Sequence, residues 1–514
     1  MDAKPKAKKT TTAGSPMKPS PRGAIVRMYR IGHGDCFLIA FDGAKPDKPV
    51  YVLIDCGYKP GSPGKLTSPT NVQEIGADII ATTGGFVDVA VVTHEHQDHV
   101  NGLTPTNFPG LKVGKVWFAW TENPEDDIAN QLRKKFKDRL LGLIDTRANL
   151  LGAEKDDAAN CVDWFLELEL GEDSTDFDGK EHRSAAAKDP ANSVNKVAMK
   201  FLRDCGSGAP DFLYPHGKPL PIPGAGGARA FVLGPPRDID KIDDLDPIGD
   251  ENFGDDDHAM GVDSQPAAGD RMRTSPFPRR HVIPFEEAFD NGDHSAFFRD
   301  HYGVDTTIAE GPDGTEVSAN AVWRRMNRDD AEDAGALALA MNNATNNASV
   351  VLAFELSKGG KVLLFAGDAQ AGNWRSWSDE DFDDAGAKVT AKDLLSRAVL
   401  YKAGHHGSHN ATLNGKAGSE HPNLAWLGQG DGAQEFCAMI TAVEAWAHQK
   451  PKPDWNHPLP AIKDALLKKA EGRVFQTDTS MQNAKPIGSG AATWQSFLGR
   501  VKETDLYFDL AIEE

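Results

Sequence analysis

Short apolar runs separated by glycine- or histidine-bearing turns fill most of this chain. "GAIVRMYRIGHGDCFLIAF" alternates apolar and polar residues on both sides of a glycine turn, which predicts two paired strands. "PVYVLIDCG" predicts a buried strand ending at Asp55, and "NVQEIGADIIATTGG" predicts a short helix with a glycine stop. "VDVAVVTH" and "VGKVWFAW" are continuous apolar runs of strand length. "NPEDDIANQLRKKFKDRLLGLI" spaces Ile128, Leu132, Phe136 and Leu140 four apart, which predicts an amphipathic helix packing that face on the core. Strand patterns return in "ARAFVLGPPRD", "ASVVLAFEL", "GKVLLFAGDAQ" and "AVLYKAGHHGSHNAT". The C-terminal part holds "AMITAVEAW", a helix around "LPAIKDALLKKAEG", and strands at "RVFQT" and "LYFDLAIEE". Strands alternating with helices predict an α/β layered core, and no repeat of fixed period interrupts it.

Between these blocks the pattern lapses. The stretches from about 121 to 228 and from 237 to 345 predict insertions, the second rich in Asp, Gly, Pro and Arg. Residues 1–23 hold Lys, Pro, Ser and Thr with almost nothing to bury, which predicts a disordered basic tail before a single domain over 24–514. That start lacks the apolar middle of a secretory signal. No run of about 18 consecutive apolar residues occurs, so no membrane span is expected. The 5 cysteines are scattered, odd in number and without CxxC spacing, which favours a reducing, cytoplasmic setting over a disulfide framework. The net charge of −20 argues against non-specific coating of nucleic acid, which needs concentrated Lys and Arg. It leaves room for a local basic groove, for which "LRKKFKDR" and "RMRTSPFPRR" are the candidates.

The chemistry concentrates in "VVTHEHQDHVNG". A lone histidine is usually a surface or satisfied core residue, but His94, His96, Asp98 and His99 fall within six positions at the end of an apolar strand. Residues two apart in an extended chain share a face, so His94 and His96 can hold one metal ion. Asp98 and His99 follow in the turn and can reach a second. "LLFAGDAQ" delivers Asp368, and "KAGHHGSHN" delivers His405 and His406, also at the tips of apolar strands. That edge of an α/β fold is where sites form. Imidazole and carboxylate ligands suit zinc, and also manganese or iron. Strand alternation would turn His405 and His406 to opposite sides, which favours His406 as the ligand.

The order HxHxDH, then GD, then HHGS resembles the metallo-β-lactamase fold superfamily of dinuclear metallohydrolases. Within it, "IGHGDCFLI", "LIDCG", "VTHEHQDHVNG", "NNASVVLAFE", "LLFAGDAQ", "YKAGHHGSHNAT" and "NHPLP" are most similar to the hydrolase domain attached to bacterial DNA-uptake channel proteins. Teichoic-acid phosphorylcholine esterases lie near the same branch. The matching blocks run in order from about Ala24 to Thr479. The resemblance implies a four-layer αβ/βα sandwich with large insertions and two divalent ions. His94 and His96 would hold one ion, Asp98 and His99 the other, and Asp368 would bridge them. His406 or its neighbour His405 would complete the second, and Asp55 would orient the first histidines from behind. Many relatives carry a further lone histidine between the first motif and the aspartate. Here "VLGPPRD" and "NNASVV" offer none, with Asn347, Ser349, water or an insertion residue as substitutes.

Two such ions activate water for hydrolysis. Asp98 could orient that water or take its proton, and His457 or His409 could protonate the leaving oxygen. His33 is expected near the cleft without ligating, and Asp35 to cap its glycine turn. Three readings follow. The first is a phosphodiesterase or nuclease, acting on nucleic acid or a small phosphodiester. The second is a hydrolase of a small ester, lactone or thioester. The third is a metal-binding interaction protein without catalysis. A basic groove would favour nucleic acid, and a closed, partly apolar pocket made by the insertions would favour a small molecule. The oligomeric state stays open.

Overall fold

Alternation along the strands sorts side chains onto two faces. A computed structural model describes residues 17–514 apart from 46, 66–67, 153–155, 171–192, 245, 254–307, 311–315, 319–327 and 449–455. In the strand Cys36–Phe41, Phe37, Ile39 and Phe41 join one apolar cluster while Cys36, Leu38 and Ala40 join another. This mixed α/β chain builds two large sheets. The first has 8 strands in the order Val501–Glu503, Tyr507–Ile512, Ala24–Tyr29, Cys36–Phe41, Val50–Cys56, Phe86–Val91, Lys112–Ala119, Asp211–Leu213. The second has 7, in the order Val474–Gln476, Cys437–Ile440, Ala398–Lys402, Val362–Phe365, Val351–Glu355, Arg229–Gly234, Leu220–Pro221.

The largest apolar cluster draws on both sheets, and Phe37 meets Phe365 edge-on with ring centroids 5.3 Å apart. On the far face of the first sheet, Ile75 and Ile79 of helix Val72–Thr83 and Met199 and Leu202 of helix Val194–Cys205 close a second cluster. Trp374, Trp377 and Leu394 do the same on the far face of the second sheet. Helix Val72–Thr83 follows its sequence signals, with the Asn71 side chain accepting from Glu74 N and Gly84 ending it at φ 68°.

Strand direction positions the site. Val50–Cys56, Phe86–Val91 and Lys112–Ala119 run parallel, so the turns after Asp55 and Val91 leave the same edge. In the second sheet Val362–Phe365, Ala398–Lys402, Cys437–Ile440 and Val474–Gln476 also run parallel. The turns carrying Asp368, His405, His406 and Thr441 therefore gather at one end.

The interruptions in the pattern form a helical cap. Helices Asp127–Gly152, Asp156–Leu170 and Arg328–Asn347 share their own apolar cluster of Leu140, Leu143, Val162, Phe165, Leu166, Leu170, Ala338 and Met341. The stripe expected on the main core is split. Phe136 and Leu140 join the cap, while Ile128 and Leu132 pack near Trp120 and Ile242. The stretch from 121 to 228 also supplies Asp211–Leu213 and Leu220–Pro221, one edge strand to each sheet. Among the described residues, 237–345 adds no strand to either large sheet. Of the expected tail, residues 1–16 lie outside the described residues, and Met17 is buried against the first sheet, because its thioether chain is apolar enough to fill that cluster. Among the described residues no helix is long and apolar enough to cross a membrane.

One charged network ties the chain's ends together. Arg27 is fully buried, its Nε and Nη2 donate to Asp509 at 2.7 and 2.8 Å, and its Nη1 donates to Asp78 at 2.7 Å. Removing one partner of a buried ion pair strands the other, which costs about 3–5 kcal/mol. Arg27→Met should therefore lower the urea midpoint by an amount equivalent to that cost at unchanged m-value. A midpoint equal to wild type would show that Asp78 and Asp509 need no counter-charge.

Candidate metal centre

The centre sits where the two sheets' C-terminal turns meet. Two glycines permit the approach. A Cβ on Gly57 would lie 2.4 Å from the backbone nitrogen of His99, so the "DCG" turn can only press against the histidine turn without a side chain. Gly367 has φ 55°, and an added Cβ would come within 3.0 Å of the Cβ atoms of Thr93 and Ser349. After Val91 the chain stays extended through His96, then winds into the short helix Gln97–Val100. Extended geometry sends His94 and His96 to one side and Glu95 to the other.

The side chains converge on Asp368. Its Oδ2 lies 3.1 Å from His99 Nε2, 3.8 Å from His406 Nε2 and 4.0 Å from His94 Nε2. His406 Nε2 is 3.1 Å from Asp98 Oδ2, and His94 Nε2 is 3.1 Å from His96 Nδ1. Among the described residues three groups are compact enough to hold an ion: His94, His99 and Asp368; Asp98, His99 and His406; and Asp35, Asp55 and His99, with His96 in none of them.

The outward-facing nitrogens are held from behind. His99 Nδ1 lies 2.9 Å from Asp55 Oδ2, and Asp55 also accepts from Thr93 N at 2.8 Å and Thr93 Oγ1 at 2.6 Å. His406 Nδ1 is 3.1 Å from the carbonyl oxygen of Thr441. His94 Nδ1 is 3.2 Å from both Thr93 Oγ1 and Ser349 Oγ. His96 Nε2 faces Glu169 Oε2 at 3.5 Å. Each ring thus has one nitrogen toward the protein and one toward the centre.

The burial of so many charges shifts their protonation. Burial pushes the His94 ring well below the ordinary histidine value, helped by His99, and takes His96 down to about 4. Burial alone would also lower His99, but the Asp368 and Asp35 carboxylates outweigh it and raise that ring well above. Burial opposes ionisation of Asp98, yet Lys59 and His406 hold it well below the usual carboxylate range. Asp368 is held low against its burial by His99 and Lys402. Lys402 Nζ lies 2.5 Å from Asp35 Oδ2 and 3.3 Å from Asp368 Oδ1, and donates to Gly367 O at 2.8 Å. These two carboxylates keep Lys402 charged against its burial.

The donor set fits divalent cations. Asp98 Oδ1 is buried without a hydrogen bond to any described group, and His99 Nε2 has only the Asp368 carboxylate, at 3.1 Å, beside it among the described residues. Such atoms cost about 1–3 kcal/mol each in an ordinary core, and a cation would satisfy them. Imidazole nitrogens mixed with carboxylate oxygens suit zinc, with manganese or iron as alternatives.

Other expected residues take different places. The "GHHG" segment is a tight turn, with His405 at φ 41° and His406 at φ 54°, so strand alternation does not apply to the pair. His405 is removed from the compact triads, because its Nδ1 lies 2.8 Å from Ser408 Oγ and its backbone nitrogen donates to Asp368 Oδ1 at 3.2 Å. His457 stacks on His33 with centroids 5.5 Å apart, and both line the cavity over Asp98, Asp368 and His406. Burial drives both rings well below the ordinary value. His409 instead lies 3.8 Å from Asp246. Asn347 is taken up by other backbone, donating to Asp244 O at 2.7 Å and accepting from Gln370 N at 2.9 Å. Ser349 meets only the rear nitrogen of His94 and the backbone nitrogen of Asp368. Asp35 does more than cap a turn: it pairs with Lys402 and accepts from Thr441 Oγ1 at 2.5 Å.

Sequence reasoning missed Lys59, Lys402 and Glu169. Lys402 closes the apolar run "AVLYK", and a lysine there reads as a strand end; Glu169 belongs to the alternating "FLELEL", which reads as a half-exposed helix. No family model, curated protein or solved structure matches this chain.

Proposed function

We propose that this chain is a metallohydrolase of the metallo-β-lactamase fold, a four-layer αβ/βα sandwich with a helical cap, acting on a phosphodiester. The observation that carries the proposal is the convergence of His94, His99 and His406 on a single oxygen of Asp368. His94 and His96 would hold one ion, Asp98, His99 and His406 the other, and Asp368 would join them. Bound there, the two ions would activate water and neutralise charge on the attacked group. The chain's own residues divide the remaining work. Asp98 Oδ2 turns to His406, which leaves Oδ1 as the base that receives the water's proton. Lys59, 3.9 Å from Asp98, adds positive charge at the cavity and favours an anionic substrate. His457, kept neutral by burial, donates a hydrogen bond to the leaving oxygen and carries no extra proton.

The cap argues for a small substrate. Trp164, Leu168 and Asn342 roof the cavity that Lys59, Asp98, Asp368 and His406 line, and the space between is only 20 Å³. That is room for little more than one water, whereas the neighbouring cavity of about 260 Å³, lined by His94, Phe136, Leu140 and Glu169, has room for a small substrate. "LRKKFKDR" lines that same cavity beside His94 and Glu169, where Arg133 bonds Asn123 O at 2.9 Å and Lys135 lies 3.6 Å from Asp243. "RMRTSPFPRR" lies outside the described residues. The apolar Trp164 and Leu168 favour a second reading, hydrolysis of a small ester, lactone or thioester.

Metal analysis of the purified chain beside assays with bis(p-nitrophenyl) phosphate, single-stranded DNA, a lactone and a thioester separates these readings. Two ions per chain and turnover of the phosphodiester are expected; turnover of the lactone or thioester alone selects the second reading.

Two substitutions should fail differently. Asp98→Asn keeps size and one oxygen, so metal content should stay near wild type while turnover falls about 10²-fold or more, as for a lost general base. Asp368→Ala removes the one anionic link between two like charges, so at least one ion per chain should be lost together with activity. Full activity and metal content in Asp368→Ala would rule out the two-metal mechanism.

A further inference from the structure

We infer that Glu169 positions His96 for its metal ion, so that the inserted cap completes the centre it covers. The inference rests on the two-metal reading. His94 Nε2 and His96 Nδ1 face each other at 3.1 Å, which makes Nδ1 the nitrogen His96 turns to an ion. A metal-bound imidazole carries its proton on the other nitrogen and needs an acceptor there. For His94, His99 and His406 that neighbour comes from the sheets and their turns: Thr93 or Ser349, Asp55 and Thr441. Among the described residues, His96 has no such neighbour from the sheets. Its Nε2 faces Glu169 Oε2 at 3.5 Å, and both atoms are buried without a hydrogen bond to any other described group.

Glu169 is fixed as a positioning residue must be. It sits at the end of helix Asp156–Leu170, where Asn195 Nδ2 donates to the carbonyls of Leu168 and Glu169 at 2.8 and 2.9 Å. Asn195 is itself buried in the helix Val194–Cys205. Lys196, the next residue, pairs with Glu95 and lies 3.7 Å from Glu122, which places a cation in the pocket of carboxylates behind His96. Glu95 is the residue between His94 and His96, so Lys196 and Asn195 pin both the ligand turn and the acceptor that serves it. A slip of the cap helix would leave the His96 ring free to rotate.

The test uses the full-length chain, zinc and cobalt(II), and two replacements of similar volume. Glu169→Gln keeps an acceptor oxygen, and Glu169→Met removes it. Competition titration against a chromophoric chelator should show Glu169→Gln binding both zinc ions close to wild type. Glu169→Met should lose about 10–100-fold in affinity for one ion and keep the other, the cost typical of a lost partner behind a ligand. The cobalt(II) absorption of the weakened site should broaden in the same variant. Wild-type titration by Glu169→Met, or equal weakening in both variants, overturns the inference. Fewer than two ions bound by the wild-type chain overturns the two-metal reading itself. Histidine-selective ¹⁵N spectra of the zinc-loaded wild type give an answer even if Glu169→Met does not fold. His96 must carry its proton on Nε2, and a proton on Nδ1 overturns the inference.

Discussion

Four carboxylates, Asp35, Asp55, Asp98 and Asp368, lie buried where the turns of the two sheets meet, beside the imidazoles of His94, His96, His99 and His406 and the amines of Lys59 and Lys402. Taking such groups out of water costs several kcal/mol apiece unless opposite charges and hydrogen bonds repay it. The rest of the structure follows from meeting that cost. Asp55 is met by Thr93 and His99, Asp35 by Lys402 and Thr441, and Asp368 by Lys402, His405 and His99. No single element could supply this set. The parallel strands of both sheets must end at a common edge, and Gly57 and Gly367 must let their turns touch.

Those constraints explain what could be read in advance. The strand periodicity, the glycine stop at Gly84 and the ligand turn are local signals, because each depends on residues a few positions apart. His94, His96, Asp98, His99, Asp368 and His406 stand at strand tips, so strand assignment alone brought them to one edge. The partners between them were not legible in the same way. Lys402 looks like the polar end of a strand until Asp35, far away in the sequence, is placed against it. Its apolar neighbours Val399 and Leu400 conceal that it is buried.

The cap shows the limit of periodicity from the other side. Ile128, Leu132, Phe136 and Leu140 do form a helical stripe, but a stripe records only that a face is buried, and nothing of what buries it. Here the partner is largely another inserted helix, so two stretches lacking strand patterns, 121–228 and 237–345, meet in one small core. Glu169 was hidden by the same fact. In "FLELEL" its neighbours Leu168 and Leu170 face the cavity roof and the cap core, and the acid between them is buried against His96, its backbone held by Asn195 of helix Val194–Cys205.

The two halves of the centre are unequal in charge. The Asp98 side combines two carboxylates, Asp98 and Asp368, with His99 and His406, and Lys59 stands close enough to moderate it. The His94 side has two rings that burial keeps neutral and shares Asp368 as its only facing carboxylate. On the two-metal reading a divalent ion would be less well compensated there, and among the described residues no third histidine makes up the deficit. Hydrogen bonds behind the rings are the remaining way to strengthen them, since an acceptor on the rear nitrogen makes the front one a better donor of electron density. Ser349 and Thr93 can do this for His94 through hydroxyls. Glu169 brings a carboxylate to His96 from a helix outside the sheets. On the proposed two-metal reading, the weaker metal position is the one whose strength depends on the cap, and the same helix that roofs the cavity would govern how firmly its ion is held.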